Sequence, residues 1–429
     1  MASNILDSLI PSIKISTVVP AQATSEHKNF YELTNMDLAM KLHYIKAVYF
    51  FKREAVQGLT TYDFKKPMFQ LLDLYSHVSG RIRKSETGRP FIKCNDAGVR
   101  IVEADCDKTI HEWFELKGYS LDRSLVYCQV LGPHLGFSPL VFMQFTWFKC
   151  GGLSVGLSWA HVLGDAFSAS NFINMWGQIL TGHVPPNAVH VSNPRKPELP
   201  PTVPENPISV KRVNPVGDYW VTASNCKMVT HSFYITATHL DPLVSNQAAK
   251  ISTFEVLSAI IWKSLFEIRE DYGPKTVTIC TSNSNRKGNE IGPNNGMVLA
   301  IAEANFEIEM FDVSELAELM AEKAVVENHL VEEMVEKDEE KGDFVVYGTN
   351  LTFVNLEEAN IYGLELNGRK PIFGNYSFNG VGDEGAVLVL PGPTNEKEEG
   401  GNGRIVTIVL PEKQLEQLKH KLEREWGIV

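Results

Sequence analysis

Hydrophobic residues along the chain follow two periods, and the change from one to the other predicts a mixture of strands and helices. Alternating apolar and small or polar residues at 11–19 and 153–160 are typical of strands. Apolar residues at helical spacing predict helices at 66–82, 165–182 and 251–268. The pattern therefore favours an α/β protein without strict alternation of strand and helix.

Four local signals sharpen this picture. Residues 140–161 predict two strands joined at Cys150, Gly151 and Gly152, and residues 90–105 predict a hairpin that turns at 95–98. The run 313–341 predicts one long acidic helix. Thr34 or Asn35 is expected to begin a helix whose first turn contains Asp37.

The length of 429 residues predicts two domains, because a single core rarely serves so long a chain. Residues 183–215 are rich in proline and poor in periodicity, which is typical of a linker. We therefore predict an N-terminal domain at 1–182 and a C-terminal domain at 216–429.

Charge and composition exclude several classes of protein. The net charge of −12, without a run of basic residues, argues against nucleic-acid binding. The six cysteines form no CxxC pair, so neither a zinc site nor a disulfide framework is expected, and a reducing compartment fits best. The sequence predicts no signal peptide and no transmembrane helix.

The stretch SWAHVLGDAFSAS contains the candidate chemistry. His161 stands where a predicted strand ends, and an imidazole there can accept a proton from an attacking hydroxyl, amine or thiol. Asp165 stands at the start of the next helix, where a carboxylate is stabilised by backbone N–H groups. The alternative is structural: His161 is a half-buried histidine and Asp165 a helix cap.

Other residues have weaker claims. His43 and Tyr44 are predicted to pack in the core on a helix, with reach into a channel as the alternative. Asp383 and Glu384 are predicted to form a solvated turn, with an acid pair as the alternative. Cys150 would need to lie beside His161 to act as a nucleophile. The acidic segment 330–343 is interpreted as a solvated face, with a partner surface as the alternative.

The sequence resembles the plant BAHD acyltransferases over nearly its full length. SWAHVLGDAFSAS, SGRIR, ISTFEVLSAIIWKSL and NLTFVNL carry the resemblance. It implies two similar-sized mixed α/β sandwich domains of the coenzyme A-dependent acyltransferase type, with a channel between them. It also implies that His161 is the general base, with an acyl-CoA as substrate and no bound cofactor or metal. Asp165 would give structural support, often paired with an arginine, for which Arg286 is the candidate.

Two motifs depart from the family pattern. ELNGRKP at Glu365–Pro371 stands in place of the family's DFGWG-Lys-Pro, and GPNNG at Gly292–Gly296 replaces a YFGN-type turn. An intact HxxxD, here His161 and Asp165, together with a lost DFGWG is the combination of the eceriferum-2-like branch, which MDLAMKLHYIKAVYFFK and NYSFNGVGDEGAVLVLP also resemble. This resemblance implies a role in elongating very-long-chain fatty acids for cuticular wax. The partner would be the elongase condensing enzyme, which would place the chain at the cytosolic face of the endoplasmic reticulum.

Three hypotheses remain at this point. The chain is an accessory protein of the elongase with a long-chain acyl thioester in its channel, or an acyltransferase that uses His161 as base. In the third, it is a scaffold that uses only its outer surface.

Overall fold

A computed structural model describes residues 10–121, 123–129, 136–183, 206–214, 226–244, 251–269, 273–282, 295–304, 312–338, 342–393 and 403–429. The predicted linker at 183–215 lies mostly outside these ranges.

Within these ranges the strands are, in chain order, β1 Ile13–Val18, β2 Phe30–Glu32, β3 Tyr44–Phe51, β4 Arg81–Lys84, β5 Pro90–Lys93, β6 Val99–Cys106, β7 Val141–Phe148, β8 Leu153–Ala160, β9 Lys211–Val213, β10 Met228–Ile235, β11 Thr276–Ser282, β12 Met297–Glu303, β13 Val325–Val326, β14 Asp343–Val345, β15 Leu351–Asn355, β16 Phe373–Asn379, β17 Ala386–Pro391 and β18 Arg404–Pro411. The α-helices are α1 Asn35–Ala39, α2 Arg53–Val56, α3 Thr61–Leu74, α4 Ile110–Lys117, α5 Ala166–Leu180, α6 Ala237–Val244, α7 Thr253–Arg269, α8 Val313–Glu322, α9 Asn328–Lys337 and α10 Glu412–Trp426.

The first large sheet has the strand order β1-β6-β7-β8-β3-β16. Its central strands β3 and β8 are buried along their whole length, which explains why they contain few charged residues. The last strand, β16, comes from the C-terminal half of the chain and pairs antiparallel with β3. The domain boundaries at 182 and 216 stay predictions, but the first sheet itself contains strands from both sides of them.

The second large sheet has the order β10-β18-β17-β15-β11-β12-β13, with parallel pairs on both sides of β15. Helices α7, α8 and α10 pack on this sheet and share a core with it. A larger core unites the first sheet, α3, α5 and residues of β15 to β18. The predicted fold class, two mixed α/β halves, is therefore present.

A hydrogen-bonded group of buried polar side chains joins the two sheets, and we call it the Asn375 network. Asn375 on β16 donates to Ser232 Oγ and to the Tyr119 carbonyl, each at 2.9 Å. Its Oδ1 accepts from Thr407 Oγ1 at 2.7 Å, and the Ser232 and Thr407 hydroxyls lie 2.9 Å apart. The amide of Asn375 therefore uses both its donor and its acceptor groups.

Two local predictions were confirmed and two were wrong. The paired strands β7 and β8 join at Cys150–Gly152, and Thr34 begins α1 with a capping box that includes Asp37. The hairpin at 90–105 was wrong, because β5 pairs with β2 and β4 whereas β6 pairs with β1 and β7. The buried Arg81 guanidinium donates to the carbonyls of the connecting segment and holds the chain as it passes between sheets.

The long acidic helix was also wrong. Two helices, α8 and α9, stand in its place, separated by Val325 and Val326, which pair with β12. β-branched residues favour an extended backbone, and here the edge of the second sheet offers hydrogen-bond partners for it. The Glu327 carboxylate then accepts N–H groups from Ile208 and Ser209.

Candidate active site

His161 lies directly after β8, at the first position of a single 3-10 turn, His161–Leu163. Its backbone N–H donates to the His43 carbonyl at 3.1 Å, which fixes the turn against the residues that precede β3. The side chain has no exposed surface. The structure therefore places the imidazole inside the protein, between the two large sheets.

Tyr347 covers the imidazole of His161. The Tyr347 hydroxyl lies 2.8 Å from Nε2 of His161, and both side chains are fully buried. The Tyr347 ring stacks on Phe378 of β16, with 4.3 Å between ring centroids. The resemblance implied a channel beside the histidine, and in the structure a phenol lies at Nε2 of the imidazole.

Nδ1 of His161 is buried and has no hydrogen-bond partner among the described residues. Burial lowers the pKa of the imidazole, and this effect is opposed by Asp165, by the residue's own backbone and by Asn295. A lowered pKa keeps the ring neutral at pH 7. A neutral ring can still accept a proton, which a general base requires.

Asp165 holds the loop after His161 and connects it to the second half of the chain. One carboxylate oxygen accepts the N–H groups of Phe167 and Ser168, each at 3.1 Å, at the start of α5. The other accepts the Gly296 N–H at 3.1 Å. The Asp165 carboxylate therefore acts on the imidazole through its electrostatic field and by holding the loop. Arg286, its proposed partner, lies outside the described residues.

Asn295, next to Gly296, links three parts of the site. Its Nδ2 donates to the His161 carbonyl at 2.9 Å and to Asp37 Oδ1 at 2.8 Å. Asp37 is buried in α1, and burial raises the pKa of its carboxyl although these hydrogen bonds oppose the shift. This arrangement fixes the backbone of His161 from the side of the C-terminal half.

His43 lies beside the site, although helical spacing favoured core packing for it. Helix α1 ends at Ala39, so His43 belongs to the segment that enters β3. Its Nε2 accepts the Val346 N–H at 3.0 Å, and its ring contacts Tyr347 with centroids 4.8 Å apart. Burial and the nearby His161 lower the pKa of His43 to about 3, so the neutral ring carries its proton on Nδ1.

The remaining candidates lie elsewhere. Cys150 is exposed at the far end of β8 from His161, a separation of about 25 Å for a strand of this length, so it cannot serve as the nucleophile. The segment Glu365–Pro371 forms a tight turn with positive φ at Asn367 and Gly368, and the Glu365 backbone and the preceding Leu364 side chain pack against Gly177 of α5. This altered motif supports the fold at a distance from the imidazole.

Sequence reasoning missed Tyr347 and Asn295 as site residues. Tyr347 stands outside every motif that the sequence offers, and Asn295 belongs to GPNNG, which the sequence marks only as an altered turn. The pairing of distant segments brings them to His161, and no local pattern encodes that pairing. In the described part of the chain, no group of three or more His, Cys, Asp or Glu side chains could hold a metal ion.

Comparison with known proteins decides the family. Residues 10–425 match the model of the Transferase family, that of the BAHD acyltransferases. The chain belongs to this family. It is 44% identical to Protein ECERIFERUM 2 of Arabidopsis thaliana, covering 96% of this chain and 98% of that protein. Identity to Protein ECERIFERUM 26-like of the same plant is 38%, covering 97% and 96%.

A solved structure confirms the fold at low sequence identity. TRI101 of F. sporotrichioides, complexed with coenzyme A and T-2, has a TM-score of 0.67 and 15% identity, covering 93% of this chain and 98% of that one. Within the described ranges, no helix has both the length and the apolar character needed to cross a membrane.

Proposed function

We propose that this protein supports the elongation of very-long-chain fatty acids for cuticular wax, acting with the condensing enzyme of the elongase. The observation that carries the proposal is the 44% identity to Protein ECERIFERUM 2 over nearly the whole of both chains. The changed ELNGRKP motif and the covered imidazole favour a protein that does not consume its acyl thioester. The condensing enzyme would hold the chain at the cytosolic face of the endoplasmic reticulum.

A second candidate function is supported by the histidine itself and by the shared fold. His161 is intact and neutral, and TRI101, which has the same fold, was crystallised with coenzyme A. In this alternative, His161 removes a proton from an acceptor alcohol or amine, which attacks the carbonyl carbon of a long-chain acyl-CoA. The thioester C–S bond then breaks, and the coenzyme A thiolate leaves with the proton.

A reconstituted elongase distinguishes the two functions. The condensing enzyme is assayed with this protein or with the His161→Ala variant, and the chain lengths of the products are measured. The accessory role predicts unchanged product length with His161→Ala. Loss of the longer products, with the variant folded and still bound to the condensing enzyme, would instead support catalysis by His161.

A second variant tests whether the interior of the protein matters at all. Ser158→Phe places a bulky side chain on β8, close to His161 in the chain. If the folded variant extends fatty acids normally, a scaffold that uses only its outer surface explains the activity, and an acyl chain in the interior does not.

A further inference from the structure

The Tyr347 hydroxyl occupies the place that an acceptor must take in general-base acyl transfer. A base needs the proton that it removes within about 2.6–3.2 Å of its nitrogen. The Tyr347 Oη lies 2.8 Å from Nε2 of His161, inside this range. An alcohol, an amine or a water molecule cannot occupy the same position while the phenol is there.

Tyr347 is held in this position from several sides. The N–H before it, on Val346, donates to His43, and its own carbonyl accepts the Gly382 N–H at 2.9 Å. The next residue, Gly348, has a φ of +83°, and a Cβ there would come within 2.6 Å of the Gly382 backbone. Because only glycine fits this turn, the backbone fixes the direction in which the phenol points.

The Tyr347 phenol is poorly suited to act as the acyl acceptor in place of a substrate hydroxyl. Burial, followed by Cys280 and Asp165, raises the pKa of Tyr347 well above its ordinary value. A neutral phenol that is stacked on Phe378 keeps its proton and its position. The contact with His161 is therefore a stable hydrogen bond between neutral groups.

We propose that Tyr347 is the residue that excludes acceptors from His161 and so leaves a bound acyl thioester intact. The inference rests on the proposed function only in assuming that an acyl-CoA reaches the site. It explains, by one side chain, why an accessory protein can contain an intact base and not use it. When the hydroxyl is removed, water can take its place, and His161 regains a proton to accept.

The reaction expected in the opened site is hydrolysis. Water attacks the thioester carbonyl carbon as Nε2 of His161 takes its proton, the C–S bond breaks, and the proton passes to the coenzyme A thiolate. The products are a fatty acid and free coenzyme A. Palmitoyl-CoA, below its micellar concentration, is the probe, and free coenzyme A is measured by chromatography because the exposed Cys150 and Cys226 would react with thiol reagents.

Four variants are compared with the wild-type protein. Tyr347→Phe removes only the hydroxyl group, and Tyr347→Ala removes the whole ring. Tyr347→Ala/His161→Ala removes the base as well. Tyr49→Phe is the matched control, because it deletes another buried phenol that bonds to a second tyrosine, Tyr376, at 2.5 Å. Circular dichroism and thermal melting show which variants are folded.

We expect hydrolysis at least tenfold above wild type for Tyr347→Ala and at least threefold for Tyr347→Phe. The double variant and Tyr49→Phe should stay at the wild-type rate. If Tyr347→Ala does not fold, the rate of Tyr347→Phe decides by itself. A folded Tyr347 variant at the wild-type rate, or a gain that survives the loss of His161, overturns the inference.

Two further outcomes separate this inference from the proposed function. A palmitoyl mass added to Tyr347 of the wild-type protein would make the phenol an acceptor and overturn its role as an excluder. Failure of the folded Tyr347→Ala variant to bind palmitoyl-CoA would also overturn it, because no thioester would reach the base. Neither result bears on the accessory role, which fails only if the wild-type protein does not change product length in the elongase assay.

Discussion

The two large sheets are joined at the Asn375 network and at the His161 site, and these two places differ in how completely their hydrogen bonds are made. In the Asn375 network, both the donor and the acceptor groups of the central amide are used. Around His161, the Nδ1 atoms of both His161 and His43 and the Oδ1 of Asn295 have no partner among the described residues. Buried polar atoms without partners cost stability, so such atoms gathered at one place indicate chemistry, whereas a satisfied network indicates a structural joint.

The largest loss of stability is expected when the Asn375 network is broken. Asn375→Leu keeps a similar volume but leaves the Tyr119 carbonyl without its side-chain donor and the Thr407 and Ser232 hydroxyls with only each other. This should lower the free energy of unfolding by about 4 kcal/mol. Urea unfolding measures it, with Asn29→Leu, at an exposed asparagine, as the control expected to change little. Equal losses in the two variants would contradict the structural role of the network.

Asp165 is expected to give the next largest effect, because its two oxygens serve different parts of the chain. Asp165→Ala should lower the free energy of unfolding by about 3 kcal/mol through loss of the α5 cap and of the acceptor for Gly296. Asp165→Asn keeps one oxygen for the cap and should lose about half as much. The same urea measurement checks both, and identical losses would show that the cap contributes nothing.

Acid should weaken the His161 region before it weakens the Asn375 network. The pKa of His43 is about 3 in the folded protein and 6.5 when unfolded, so its stabilisation is present above pH 6.5 and is lost as the pH falls towards 3. Between pH 7 and 4.5 this loss is roughly 2.5 kcal/mol. His43→Gln should flatten the pH dependence of unfolding by this amount, while His111→Gln, at an exposed histidine, should not.

The smallest change in stability is expected when His161 and Tyr347 are both replaced by apolar residues. His161→Leu alone leaves the Tyr347 hydroxyl unpaired and should cost about 2 kcal/mol, and Tyr347→Phe alone should cost about 1 kcal/mol. The double variant should lie within about 1 kcal/mol of wild type, because no polar atom of the pair is left behind. A double-mutant cycle measures the coupling, and strictly additive losses would argue against the hydrogen bond.

The sequence predicted strands and helices best where one period was long and uninterrupted. β7, β8 and α5 were found this way, and with them the positions of His161 and Asp165. The errors arose where tertiary pairing overrode the local pattern: β13 joins the sheet edge in the middle of a helical run, and β5 and β6 enter different sheets. Tyr347 could not be predicted because its role depends on β16 and the residues before β3, which are distant in the chain.

The pairing of β16 with β3 also bears on how the chain is made. β3 emerges early from the ribosome, but the strand that pairs with its free edge, β16, follows roughly 320 residues later. At about 5–20 residues per second, this edge stays open for roughly a quarter of a minute to a minute. An exposed edge of apolar residues invites aggregation, so the nascent chain should depend on chaperones until its C-terminal part emerges. During synthesis the chain therefore passes through an aggregation-prone interval that leaves no trace in the finished fold.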